Sequence, residues 1–160
     1  LVSGHDWLLS LHVLSAFGLV AALVLYTVLI AVVWNKDEPG DVARLFRISK
    51  VGDVLIAVGS IGVLVFGIWL AIEDDRYKVW DGWVIAALVL WFVMGALGSR
   101  TGKIYNAARD RARSLAREGN NAPNAELRTL VQDRRGLWFH TGGVIVVLLL
   151  LIDMIFKPGA

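Results

Sequence analysis

Four stretches of this 160-residue chain carry no Asp, Glu, Lys or Arg: residues 7–34, 54–72, 82–99 and 136–152. A helix needs about 20 apolar residues to cross the hydrocarbon of a bilayer, with a working range of roughly 17–25. Four such runs leave no length for a soluble domain. The sequence therefore predicts an all-α polytopic membrane protein, one domain of four transmembrane helices in an antiparallel bundle. Its spans fall at about 7–34, 54–72, 82–99 and 136–156, with long loops at 35–50 and 100–135. The first run is too long for the apolar region of a signal peptide, about 7–15 residues, and reads as a span.

The charged residues give the orientation. Lys36, Arg44, Arg47 and Lys50 lie in the first long loop. Arg100, Lys103, Arg109, Arg111, Arg113, Arg117, Arg128, Arg134 and Arg135 lie in the second. The other side keeps Arg76, Lys78 and Lys157 against Asp6, Glu73, Asp74, Asp75, Asp81 and Asp153. Short loops rich in Lys and Arg stay in the cytoplasm, so both termini are expected to be extracytoplasmic. Topology also accounts for the pI of about 9.2, and no nucleic-acid partner is expected. Trp7, Trp69, Trp80, Trp83 and Tyr77 fall at the outer span ends, and Trp34 and Trp138 at the inner ends, as two interfacial belts. Trp91 is mid-span and reads as packing.

Local signals refine the helices. Pro39-Gly40 breaks the chain, Asp41 can cap a helix from Val42, and nothing stops that helix before Ile72. The third helix is expected to run past Ser99 and to end at Gly119-Asn120-Asn121. Asn124 can cap a short helix over 125–131. The short turn at 73–79 predicts that the second and third spans are antiparallel neighbours.

Close backbone approach is what holds helices together in lipid, where the hydrophobic effect contributes little. Small residues that permit it are Gly18 and Ala22, Gly59 with Gly62 and Gly67, Gly95 and Ser99, and Gly142-Gly143. They read as helix packing or oligomer contact, or else as a groove for a cofactor or lipid. Leu29 is expected on the lipid side.

Ionisable groups at membrane depth are costly and normally have a reason. Here they form two layers. His12 and Asp153, with Met154, lie near the outer face; Asp53 and His140, with Met94, lie near the inner face. Each layer holds one His and one Asp that can pair across helices, as a structural hydrogen bond, a cofactor or ion site, or a proton relay. Haem b is the cofactor to weigh against a four-helix membrane bundle. From His12 to Trp34 is about 33 Å of helix, which puts His12 and His140 more than about 20 Å apart. One iron cannot bridge them. His/Met ligation is possible by level, His12 with Met154 or His140 with Met94. The absence of cysteine removes thiolate sites, and with only two Met soft copper ligands are scarce. The acidic outer face (His5, Asp6, Glu73, Asp74, Asp75, Asp81) reads as a solvated surface rather than a metal site. No catalytic motif follows the spans. The function expected is a non-enzymatic membrane component, a self-associating bundle or a subunit of a larger membrane complex. The alternative is a haem- or metal-binding redox protein with His12 as ligand.

The opening Asp6-Trp7-Leu8-Leu9-Ser10-Leu11-His12-Val13-Leu14, the segment GVLVFGIWLAI at 62–72, WDGW at 80–83 and the terminal Lys157-Pro158-Gly159 resemble a family of short bacterial predicted integral membrane proteins of unknown function. That resemblance covers nearly the whole chain and implies the bacterial cytoplasmic (inner) membrane. A more distant similarity, carried by His12 and its neighbours, is to CopD-type copper-resistance membrane domains and HemJ-type protoporphyrinogen oxidases. In the latter the corresponding histidine is a haem ligand working with a lysine on a later helix. The spans here contain no lysine.

Overall fold

The apolar runs become long helices in the computed structural model, which describes residues 4–73 and 78–157. Asp74, Asp75, Arg76, Tyr77, Pro158 and Gly159, named above, lie outside the described residues. The elements are α1 (Gly4–Val33), α2 (Pro39–Leu45), α3 (Ser49–Glu73), α4 (Gly82–Arg117), α5 (Ala125–Val131) and α6 (Arg134–Phe156). Four stretches are long and apolar enough to cross a membrane: α1, α2 with α3, α4, and α5 with α6. The chain is all-helical among the described residues.

Helix ends follow capping chemistry. Asn124 Oδ1 accepts from the Leu127 amide at 2.9 Å, and Asp133 Oδ1 accepts from the Arg135 amide at 2.8 Å, so each short-range cap starts a helix. At the end of α4, Gly119 takes φ +76°. Its amide donates to Ala116 O at 3.3 Å, and the Asn120 amide donates to Leu115 O at 3.0 Å. Those two bonds are the reciprocal pair of a Schellman motif, which needs a residue that tolerates the left-handed region.

One expected helix is two. The chain does not run unbroken from Val42 to Ile72, and Asp41 is not the cap. Glu38 occupies that position and Pro39 begins α2, where its fixed φ suits the first helical turn. The chain then turns at Phe46–Ile48 through Arg47 N→Arg44 O and Ile48 N→Leu45 O bonds of 3.1 and 3.0 Å. That turn carries Phe46, which is buried in the core.

Pairing also departs from chain order. The intimate contacts are α1 against α3 and α4 against α6; α3 and α4 touch sparsely despite their short connection. Glycines explain the first pair. A Cβ on Gly59 would lie 2.9 Å from both Leu19 N and Ser15 O, and one on Gly62 would collide with Ser15 Oγ. The two backbones are thus as close as helices come. Between α3 and α4 stands Trp91 instead, donating from Nε1 to Ser60 O at 3.2 Å.

Beyond the apolar part of α4, the helix continues through Tyr105, Ala108 and Ala112. There α2, α5 and the end of α1 wrap around it, burying Leu29, Ile30, Val33, Val42, Phe46, Leu127 and Val131 in one core. Leu29, expected at the lipid, is only 5% exposed. The reason is that α1 ends inside this wrapping rather than in a bare bilayer face. Loop contacts close the same end: Gln132 Nε2 donates to Trp34 O at 2.9 Å, the Asn124 amide donates to Asp37 O at 3.0 Å, and Arg111 grips Glu126 at 2.7 and 3.0 Å.

Candidate functional site

At the opposite end the bundle is hollow. A cavity of about 430 Å³ lies among all four long helices, walled by His12 from α1, Gly67 from α3, Trp83 and Trp91 from α4, and Met154 from α6. Sequence makes this hollow in two ways. Gly67 has no side chain to fill the space, so the His12 ring lies directly on α3; a Cβ there would be 2.9 Å from its Cε1. Ala87 and Ala71 are small where larger residues would close the gap.

His12 lines this mostly apolar chamber together with His5 and Lys157. Its ring sits beside the Val63 backbone, and its Nδ1 is enclosed without a hydrogen-bond partner. An enclosed imidazole nitrogen left unpaired costs free energy, about 1–3 kcal/mol for a neutral polar group. Trp83, read from sequence as a member of the outer belt, is instead buried in the cavity wall with Lys157 over its ring at 5.2 Å. Trp7, Trp69, Trp80 and Trp138 are widely exposed, as lipid-interface residues would be. At the rim, His5 Nδ1 stands 3.9 Å from Glu73.

The structure brings His12 and Met154 into one cavity. It does not bring His12 to Asp153. Asp153 is 8% exposed on α6 and its Oδ2 has no partner either, so the two orphaned groups are not bonded to each other. Nor does Asp53 meet His140. His140 Nε2 is 2.8 Å from Thr27 Oγ1, and Asp53 Oδ1 accepts a hydrogen bond from the Tyr26 hydroxyl. Both inner partners are thus on α1, at adjacent positions. Neither Tyr26 nor Thr27 is charged at neutral pH, so a search for charged groups and histidines passes over them; their signal is a pair of hydroxyls inside an otherwise apolar run. His140 is accordingly satisfied by Thr27, and Met94 is not among the residues around the cavity.

Of the small residues, Ala22 is fully buried, and Gly59 and Gly67 are in contact across α1 and α3. Gly18 and Gly95 have open space at the Cβ position. Ser99 is exposed, and its hydroxyl donates within its own helix to Ala96 O at 2.9 Å. Among the described residues no three His, Cys, Asp or Glu side chains gather as a metal cage. The chamber therefore suits a molecule that brings its own apolar surface, anchored at one or two side chains.

Residues 6–158 match one protein family, described as predicted integral membrane protein (DUF2269). No characterised protein and no solved structure matches the chain.

Proposed function

We propose that this chain, which belongs to the DUF2269 family of predicted integral membrane proteins, is a non-enzymatic binding component of the bacterial cytoplasmic membrane. Its ligand is a flat apolar molecule held in the chamber among the four spans, with His12 as the polar anchor. The observation that carries this reading is a mostly apolar cavity of about 430 Å³ among the four long helices with an imidazole, His12, in its wall. Ligand sites are typically concave, about 300–1,000 Å³, mostly apolar, with few polar groups. Within that class, Met154 in the same wall favours a haem-type macrocycle, since imidazole with thioether is an established axial pair. Haem bound there would supply one-electron chemistry; the chain would supply orientation and exclusion of water.

The test is purification in mild detergent, then an absorption spectrum and mass spectrometry of the extracted small molecules. A Soret band that moves on reduction supports the haem form. A stoichiometric apolar molecule without a Soret band supports the general form. An extract identical to that of the His12→Ala protein overturns both.

The Lys- and Arg-rich loops support an orientation with the chamber at the extracytoplasmic side. A single cysteine at Lys157 should react with a membrane-impermeant thiol reagent in intact cells, and one at Ser114 should not. Self-association has support of its own. Gly95, Gly98, Ser99 and Gly102 lie along one stretch of α4; Gly95, Gly98 and Ser99 are exposed, and the three glycines have open space at Cβ. Gly98-x3-Gly102 has the spacing that lets two membrane helices approach closely.

A further inference from the structure

At the basic end of the molecule four of the thirteen Lys and Arg side chains form ion pairs. Arg109 meets Asp110 at 3.2 Å, Arg111 meets Glu126 at 2.7 Å, Arg128 meets Asp37 at 3.9 Å and Lys36 meets Asp41 at 3.8 Å. Arg47, Arg113 and Arg117 stand together. None of the three forms an ion pair among the described residues, yet they converge on one hollow of about 310 Å³ floored by Ala43 and Ala116. Arg47 comes from the turn between α2 and α3; Arg113 and Arg117 stand one turn apart on α4. Like charges at i and i+4 repel, a repulsion that an anion between the two would relieve.

Carboxylates are near but on the other side. Asp110 and Glu118 line a separate hollow with Arg113 and Arg117, where Asp110 is turned to Arg109 and Glu118 accepts from Ser114 Oγ at 2.8 Å. The hollow shared with Arg47 contains no acid. Guanidinium groups bind phosphate oxygens through paired, charge-assisted hydrogen bonds, and three of them match a dianionic group.

Depth selects the source. Arg113 is fourteen residues beyond Ser99 and Arg47 is seven before Val54, about 21 and at most about 10 Å along a helix at 1.5 Å per residue. The headgroup layer adds only about 5–7 Å on each side of the hydrocarbon. The Arg113 side of the hollow therefore stands clear of the bilayer surface, in reach of solutes. We propose that Arg47, Arg113 and Arg117 bind the phosphate group of a soluble phosphorylated small molecule.

The experiment uses the full chain in phosphatidylcholine nanodiscs, with melting followed while inorganic pyrophosphate is titrated against chloride at matched ionic strength. Pyrophosphate should raise the melting temperature. The Arg113→Gln/Arg117→Gln protein should respond at least about tenfold more weakly, the scale expected when charge-assisted pairs are lost. Arg128→Gln, which removes a locally paired arginine, should respond like the parent. No difference between pyrophosphate and chloride overturns the site, as does an undiminished response in the double variant. Stabilisation only when phosphatidylglycerol is added to the nanodiscs, and lost in the double variant, would make the ligand a lipid headgroup and overturn the soluble one.

Discussion

The two ends of this bundle are built from the same four helices but packed in opposite ways. At the basic end, Val33, Val42, Ala108, Ala112, Leu127 and Val131 are sealed from outside, and two short helices clamp the ends of the long ones. At the other end the buried cluster is Ala71, Trp83 and Val84, and a chamber replaces the core. The basic end has side chains of graded size and water-exposed loops, so the hydrophobic effect acts there as in a soluble protein. The hollow end lies in lipid, where burial of apolar surface contributes little and only close backbone approach holds helices together. Stability is concentrated at one end, and room for a ligand at the other.

The largest effect should come from the contact that spans both ends. Gly59→Leu puts a side chain where Leu19 N and Ser15 O stand 2.9 Å from the Cβ position, and α1 must leave α3. Loss of cooperative unfolding in detergent is expected; a melting curve like the parent's would mean the helices do not touch there. Next, Leu127→Ala removes a fully buried side chain from the dense end. Comparable core truncations cost about 2–5 kcal/mol, readable as the shift in an SDS-unfolding titration. Ala87→Phe tests the hollow end instead. It should change stability by less than Leu127→Ala, because it enters existing space rather than a filled core, while abolishing retention of any co-purified ligand. A destabilisation as large as that of Leu127→Ala would show the chamber to be well packed in the membrane. The smallest effect is expected for Gly95→Leu, which faces open space: unchanged unfolding of the monomer, with native mass spectrometry reporting whether a dimer is lost.

The sequence made the spans legible because membrane crossing is a matter of length and charge, and both are local properties. The Asn124 cap and the stop at Gly119 were legible for the same reason: each is settled within four residues. Which helix packs on which was not. Glycine spacing marks a face able to approach another helix but does not name the partner, and the short 73–79 turn pointed to α3 with α4 when Gly59 and Gly62 committed α3 to α1. The depth of His12 could be counted from Trp7, and so could that of Asp153. Depth says nothing of direction around the helix axis, however, so two groups at one level were paired on paper and stand apart in the structure. Leu29 shows the complementary failure, since a residue's neighbours depend on how α2 and α5 fold back, and nothing near position 29 encodes that.

Tyr26 and Thr27 are consecutive, so their side chains leave α1 about 100° apart. One is bonded to Asp53 on α3 and the other to His140 on α6. A single layer thereby pins three helices in rotation and in height. From Thr27 to His12 is fifteen residues, an arm of about 22 Å, with no comparable side-chain crosslink from α1 among the described residues along it. Along that arm Ser15, Leu19 and the His12 ring lie directly against Gly59, Gly62 and Gly67 of α3, so α1 and α3 move as one unit. A guest in the chamber therefore meets a wall of two helices whose height and rotation are set about 22 Å away.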